Sequence, residues 1–535
     1  MNATTSPPIQ RPGEPRRKGF GPVLRSEWTK LRTVRGWVIG LAAAVVLCVV
    51  FTFVVGHGNE EGGCTGPPPP GSGPNSPGTN CYTGHPFVPM GPNGEAVADS
   101  YRFVEQPLTG NGTFTAQVTS LTGLVWTGPD NIEPSLAHTE PGLEAWAKAG
   151  ILVTPSTQQG SPYAAIMATG GHGIRWQYNY THDQPGLSGG ITSSAPRWLR
   201  LTRTGSALTG YDSANGMTWH EIGTADLTGL PANLIVGLFV TSPVSFESSS
   251  GGAATQATAT FDHVTLNNHS VSDDGQSRSI GTGSRDYYPT LGTGSTHRSG
   301  NTFVLSGSGD IALAVNPLAG GDTASSSLWF GLIVALMMVI VVATMFITAE
   351  YRRGLLRTTF TATPERGPVL MAKAVVIGAV AFAVGALAAA IGVPLGMHVL
   401  NGNGNYVFPS TTLTEVRITA GSGALLALTA VAVLALGAIL RKGASAITIG
   451  VVVFALPYLL GQLLSGSAQE WLFRITPAAG LDVLGALPRA AVVDYPSTVA
   501  NGYYPLAPWA GLAVLGAYTA ISLGTASFLL RRRDA

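Results

Sequence analysis

Six stretches of this chain, 36–56, 328–349, 374–397, 418–440, 444–465 and 508–530, contain no Asp, Glu, Lys, Arg or His. No other feature restricts the possible folds as much. Each stretch is about 20 residues or longer, enough for a helix to cross a hydrocarbon layer of roughly 30 Å, and in lipid the backbone must satisfy its hydrogen bonds internally. Between the first and second lies a polar segment, 57–327, that cannot reside in lipid. At 535 residues, 45% hydrophobic and 11% charged, the chain is too apolar for an ordinary soluble enzyme. The expected fold is a membrane α-helical protein of six transmembrane helices, with an all-β sandwich inserted between helices 1 and 2.

The net charge of +1 hides an asymmetry. Arg16, Arg17, Lys18, Arg25, Lys30, Arg32 and Arg35 precede the first stretch; Arg352, Arg353, Arg357, Arg366 and Lys373 follow the second; Arg441 and Lys442 separate the fourth and fifth; Arg531, Arg532 and Arg533 follow the sixth. If six spans alternate, all four basic clusters fall on one side, which predicts a cell-membrane protein with both termini cytoplasmic and 57–327 extracytoplasmic. The first stretch is long for a signal-peptide core and lacks a small-residue cleavage site, so it is read as an anchor.

Of three cysteines, Cys48 lies within the first span, while Cys64 and Cys81 flank a Pro/Gly-rich run on the outer side. An oxidising exterior allows them to pair; two free thiols are the alternative. No spacing suggests a metal site. Residues 57–95, with Pro67 to Pro70, read as an extended stalk, 96–270 as the β domain, and 271–327 as a second linker. Within the domain, Arg197 to Arg203, a Thr204-Gly205 turn and Leu208 to Tyr211 read as one hairpin, and Asn215-Gly216 followed by Met217 to Trp219 as the next. Trp176, Tyr178 and Tyr180 alternate, so period two puts them on one face, as core or as a sugar-stacking surface. Trp198 and Trp219 read as structural.

Those hairpins, Trp146 to Gly150 followed by Ile151, and Val236 to Val240 resemble a concanavalin A-like lectin/glucanase jelly roll. Glucanases of that fold use closely spaced carboxylates, and no Glu-x-Asp-x-x-Glu spacing occurs here. Asp183, Asp212, Glu221 and Asp262 adjoin turns, where capping is the expected role. The resemblance therefore implies an optional extracellular glycan partner and no catalytic residue.

Solute carriers driven by ion gradients need titratable groups within their spans, and none is found in these six. Nor is there a Gly-x-x-x-x-Gly-Lys-Ser/Thr run to cradle phosphates; Leu187-Ser188-Gly189-Gly190, close to an ATP-binding-cassette signature, lies in the β domain and reads as a turn. Any motor must be a separate subunit. The segment 350–373, with Glu350, Arg352, Arg353, Gly354, Leu355, Arg357, Thr358, Pro364 and Lys373, resembles the coupling loop of type-2 ABC exporter permeases. Leu24, Trp28 and Leu31 recur at helical spacing before the first span and resemble that family's elbow helix within 1–35. The resemblance spans 16–56 and 328–535 and implies a permease subunit with no cofactor of its own, ATP being held by a partner ATPase, together with a second permease copy or homologue. It also implies membrane lipid and no nucleic acid as surroundings. A membrane-anchored glycan-binding or sensing protein is the competing reading.

Overall fold

Arg35–Gly58 is dominated by Val, Ala, Leu, Phe and Gly and has no proline, and it forms a single 24-residue helix, α2. The chain is described by a computed structural model covering residues 20–58, 62–65, 80–83, 88–127, 138–192, 194–227, 229–245, 253–271, 275–281, 294–315, 321–352, 366–461, 463–464, 466–487, 493 and 504–532. Before α2 lies the short helix α1 (Phe20–Thr33), and a large β sandwich separates α2 from α3 (Leu328–Arg352). Then follow α4 (Arg366–Gly402), α5 (Thr412–Leu440), α6 (Gly443–Phe454), α7 (Leu456–Leu460), α8 (Gly466–Ile475), a 3-10 helix (Pro477–Leu484) and α9 (Pro508–Arg532). Six helical segments among the described residues are long and apolar enough to cross a membrane, one before the sandwich and five after it. Three differ from the expected limits. α4 begins at Arg366, so Lys373 lies inside it; α5 begins at Thr412, so Glu415 and Arg417 lie inside it; and the fifth stretch is broken at Ala455 because Pro457 cannot continue the backbone ladder of α6.

Most of α3 and α5 is buried, whereas α2 and α9 remain largely exposed and form the rim. Small residues let the inner helices touch backbone to backbone. Gly385 of α4 faces α5 so closely that a Cβ there would lie 2.5 Å from the Ser422 carbonyl oxygen, while one at Gly516 of α9 would meet nothing within 4 Å. Gly385→Ala is therefore expected to cost about 1–3 kcal/mol and lower the thermal midpoint in detergent, and Gly516→Ala to leave it unchanged or raised. Equal midpoints for the two variants would contradict this packing.

The sandwich pairs two antiparallel sheets. The seven-stranded one runs His182–Pro185, Ile174–Tyr178, Ala164–Thr169, Lys148–Thr154, Asn233–Thr241, Tyr101–Thr109 and Gln276–Ile280 from edge to edge. The nine-stranded one runs His220–Asp226, Ala207–Ser213, Arg197–Thr204, Gly112–Thr127, Thr255–Leu266, Thr302–Gly307 and Thr296–Ser299, with His138–Pro141 and His269–Ser270 pairing off this path. Alternation decides which side chains meet between the sheets: Leu199 and Leu201 point inward with Phe114, Val118, Ile166 and Val236. The Arg197–Thr204 hairpin closes through Gly205, whose φ of 65° few other residues adopt. After Asn215-Gly216 the next strand starts later than expected, at His220, because Asn215 Oδ1 accepts from the amides of Met217 and Thr218 and prolongs the turn.

Within the expected linker 271–327, described segments belong to the sandwich. Its strands Gln276–Ile280, Thr296–Ser299 and Thr302–Gly307 join the two sheets, with Phe303 and Leu305 in the core, and Ile311–Leu313 pairs Val97–Asp99. The seven-stranded sheet is buried on both faces, so Lys148–Thr154 and Ala164–Thr169 are buried at every residue and lose the period-two signature. Behind that sheet, Phe103, Leu152, Met167 and Phe239 form a second core with Val97 and Ile311. Lys148, fully buried, donates to Asp310 Oδ1 at 2.6 Å and to the Ile311 carbonyl at 2.7 Å, pinning the covering strand.

Candidate coupling site

At the end of the bundle remote from the sandwich, α1, α3 and α4 converge on four ionised side chains. Lys373 Nζ lies 2.5 Å from Glu27 Oε2 and 2.8 Å from Glu350 Oε1, and Lys30 Nζ lies 2.6 Å from Glu27 Oε1 and 2.9 Å from Glu350 Oε1. The Lys373 side chain is 0% exposed, Glu27 1% and Glu350 7%, so this is a buried, formally neutral cluster; only Lys30, at 37%, reaches solvent. Burial pulls Lys30 down in pKa, but hydrogen bonds and charge from Glu27 and Glu350 outweigh it and hold the ammonium above its usual range. Lys373 also stands 4.6 Å over the Phe346 ring, against which Trp37 of α2 packs edge-on at 5.3 Å. Four helices thus share one charged and aromatic knot.

The expected stripe of Leu24, Trp28 and Leu31 is altered here. Leu31 and Glu27 are buried and Leu24 packs on the bundle, while Trp28 is 46% exposed. A carboxylate occupies the inward face because Lys373 and Lys30 wait for it, and Trp28 is left facing outward, where an amphipathic indole suits a membrane interface. Glu350 Oε2 is buried and has no hydrogen-bond partner among the described residues. Arg441, at the left-handed C-cap of α5, lies at the same end, its guanidinium 5.7 Å over the Tyr351 ring.

Of the residues assigned to the coupling segment, Glu350 and Lys373 are thus brought together, on neighbouring helix ends. Arg352 ends α3. Arg353, Gly354, Leu355, Arg357, Thr358 and Pro364 lie outside the described residues. Of the expected segment 350–373, Glu350 to Arg352 belong to α3 and Arg366 to Lys373 to α4.

The aromatic trio divides. Trp176 is fully buried between the sheets, where Gly210 and Gly223 leave room for its indole, and Tyr178 stacks on His182 at 4.2 Å. The strand stops there: Asn179 and Tyr180 have φ of 47° and 60°, and that left-handed turn swings Tyr180 behind the seven-stranded sheet. Its hydroxyl donates to Asp99 Oδ2 at 2.8 Å. Trp176 and Tyr180 are therefore sealed from any ligand. Trp219 is half-buried, with the Arg200 guanidinium 3.7 Å over its ring. Its signal was alternation with inward Leu199 and Leu201, which turns Arg200 outward.

The acidic residues have structural partners: Asp183 receives Arg175 and Gln177, Asp212 accepts from the Leu187 amide at 2.6 Å, and Asp262 accepts from Thr119 and Thr302. Leu187 to Gly190 forms a bend in which Gly189 has φ of 96°. Cys64 and Cys81 are directly opposed in the antiparallel pair Gly62–Thr65 and Asn80–Thr83.

No protein-family model matches the chain, and no curated protein does. Among solved structures, a scytalido-glutamic peptidase with a transition state analog inhibitor is 12% identical at a TM-score of 0.25, covering 39% of this chain and 98% of that one. A functionally unknown protein from Saccharomyces cerevisiae is 19% identical at a TM-score of 0.21, covering 34% of this chain and 83% of that one. Likenesses of this size carry no activity across.

Proposed function

We propose that this chain is the membrane-spanning subunit of an ATP-driven exporter of the type-2 ABC permease kind, with six transmembrane helices, cytoplasmic termini and the sandwich, read as a jelly roll, on the outer side. The observation that carries this reading is the buried knot of Glu27, Lys30, Glu350 and Lys373, which binds α1, α3 and α4 on either side of 353–365. A separate ATPase pressing on 353–365 would move three helices together instead of bending one. ATP stays on the partner, and a second permease copy completes the path, which opens outward by alternating access. A hydrophobic or amphipathic solute suits spans that hold so few charges.

The test is affinity purification of the full-length chain from its native membrane. An ATPase subunit should co-purify, and Arg353→Glu should reduce its recovery at least tenfold, because reversing a docking charge costs more than about 1.4 kcal/mol. Recovery of no ATPase with the wild-type chain would overturn the exporter reading.

A further inference from the structure

The sandwich is chained to the ends of α2 and α3, yet it is also seated on residues from elsewhere in the chain. Tyr406 and Val407, in the connection between α4 and α5, run parallel to Gly321 and Asp322 at the exit of the sandwich. The Phe408 amide donates to the Asp322 carbonyl at 2.8 Å, and the Phe408 ring, 5% exposed, enters the core behind the seven-stranded sheet beside Phe103 and Phe239. Tyr406 packs edge-on against Phe408 at 5.2 Å, and its hydroxyl donates to the Gly94 carbonyl at 3.2 Å.

The same corner collects the outer ends of other helices. Ser325 Oγ donates to the Leu484 carbonyl of the 3-10 helix at 2.8 Å, and Asn403 Nδ2 donates to the Gly56 carbonyl of α2 at 3.1 Å. Ser327 and Gly396 approach so closely that a Cβ on the glycine would lie 2.1 Å from Ser327 Oγ. A domain swinging free on its tethers would need neither the Gly321-Asp322/Tyr406-Val407 ladder nor the Tyr406 bond to Gly94, and a Phe buried in the sandwich core is costly to withdraw.

We infer that the Gly321-Asp322/Tyr406-Val407 ladder, with Phe408 plugged behind the seven-stranded sheet, is a latch that locks the sandwich onto the outer ends of α3, α4 and α5. These helix ends shift only together with the sandwich. The domain is a fixed cap over the bundle, and anything leaving the outer end of the bundle must pass around it. Nothing in the latch requires an ATPase, so its test is separate from that of the exporter reading.

The test uses the full-length chain in lipid nanodiscs, with Cys48 replaced by Ala and Cys64 and Cys81 by Ser. Spin labels go on Met217→Cys and Leu413→Cys, both native side chains being 81% exposed. One narrow distance distribution is expected, broadened by Phe408→Ala and retained by Phe408→Leu. In parallel, hydrogen exchange at 311–315 should rise at least tenfold in Phe408→Ala, while Arg197–Thr204, inside the two-sheet core, stays protected. A wild-type distribution as broad as that of Phe408→Ala, or unchanged exchange at 311–315, would overturn the latch.

Discussion

Lys373→Met is expected to destabilise the bundle by about 3–5 kcal/mol, the usual consequence of deleting one partner from a buried ion pair. The size follows from what remains. Glu27 and Glu350 both face Lys373 Nζ, and without it two carboxylates sit buried against each other with only the half-exposed Lys30 between them. Methionine keeps the contact with Phe346 and most of the volume, so the loss reports charge and not a cavity. Adding Glu27→Gln to Lys373→Met should recover at least half of the lost stability, since it removes one of the stranded charges. Thermal unfolding of the purified full-length chain in detergent measures both. A Lys373→Met midpoint within about 2 °C of wild type would mean that the four groups are not a buried cluster at all. The Glu27–Lys373 and Lys30–Glu350 contacts also join α1 to segments far away in sequence, so their removal should loosen α1 from the bundle before α3 and α5 separate, visible as early hydrogen exchange in Phe20–Thr33.

The physical reasons for what could be read in advance are uneven. The apolar helices were legible because lipid-crossing segments must satisfy their backbones locally, and Leu328 to Ala349 offers no alternative to a helix. Where those helices ended was not legible. Lys373 looks like a boundary to any hydropathy argument, and it becomes an interior residue only because Glu27, 346 positions away, neutralises it. Tyr180 was assigned to the face of Trp176 by counting twos, a rule that holds only while φ stays extended; Asn179, a residue that tolerates the left-handed region, was the available warning. Gly and Ser richness concealed the strands of 271–327, whose inward pair, Phe303 and Leu305, is too short a pattern to register alone. Phe408 belongs to the same class of omission, a lone aromatic in a loop whose host core is built from residues between Val88 and Val315.

Asp99→Asn should remove a pH dependence from the sandwich worth about 3 kcal/mol. Asp99 is 5% exposed, on the strand Val97–Asp99, facing Tyr180, Tyr163 and Tyr101 with no cation against it among the described residues. Burial pushes its carboxyl from 3.8 to about 6, against the opposing pull of hydrogen bonds from Tyr180 and the Gly160 amide. A carboxyl raised in the folded state holds a proton that the unfolded chain releases. Its contribution is therefore complete below about 3.8 and is lost as pH rises through about 6. A rise of that size corresponds to roughly 3 kcal/mol, most of it spent between pH 4 and 6.5. Both donors, Tyr180 Oη and Gly160 N, reach the same oxygen, Oδ2, so an asparagine whose amide oxygen takes that place keeps both bonds and stays neutral at every pH. Opening free energies from amide exchange in Ala164–Thr169, measured on the full-length chain from pH 4.5 to 7.5, should fall with pH more steeply in wild type than in Asp99→Asn. The comparison cancels the titration of Asp322, which both proteins share. Parallel curves would mean that Asp99 is solvated in the folded chain, and the second core behind the seven-stranded sheet would then be open to water at the point where Tyr180 closes it.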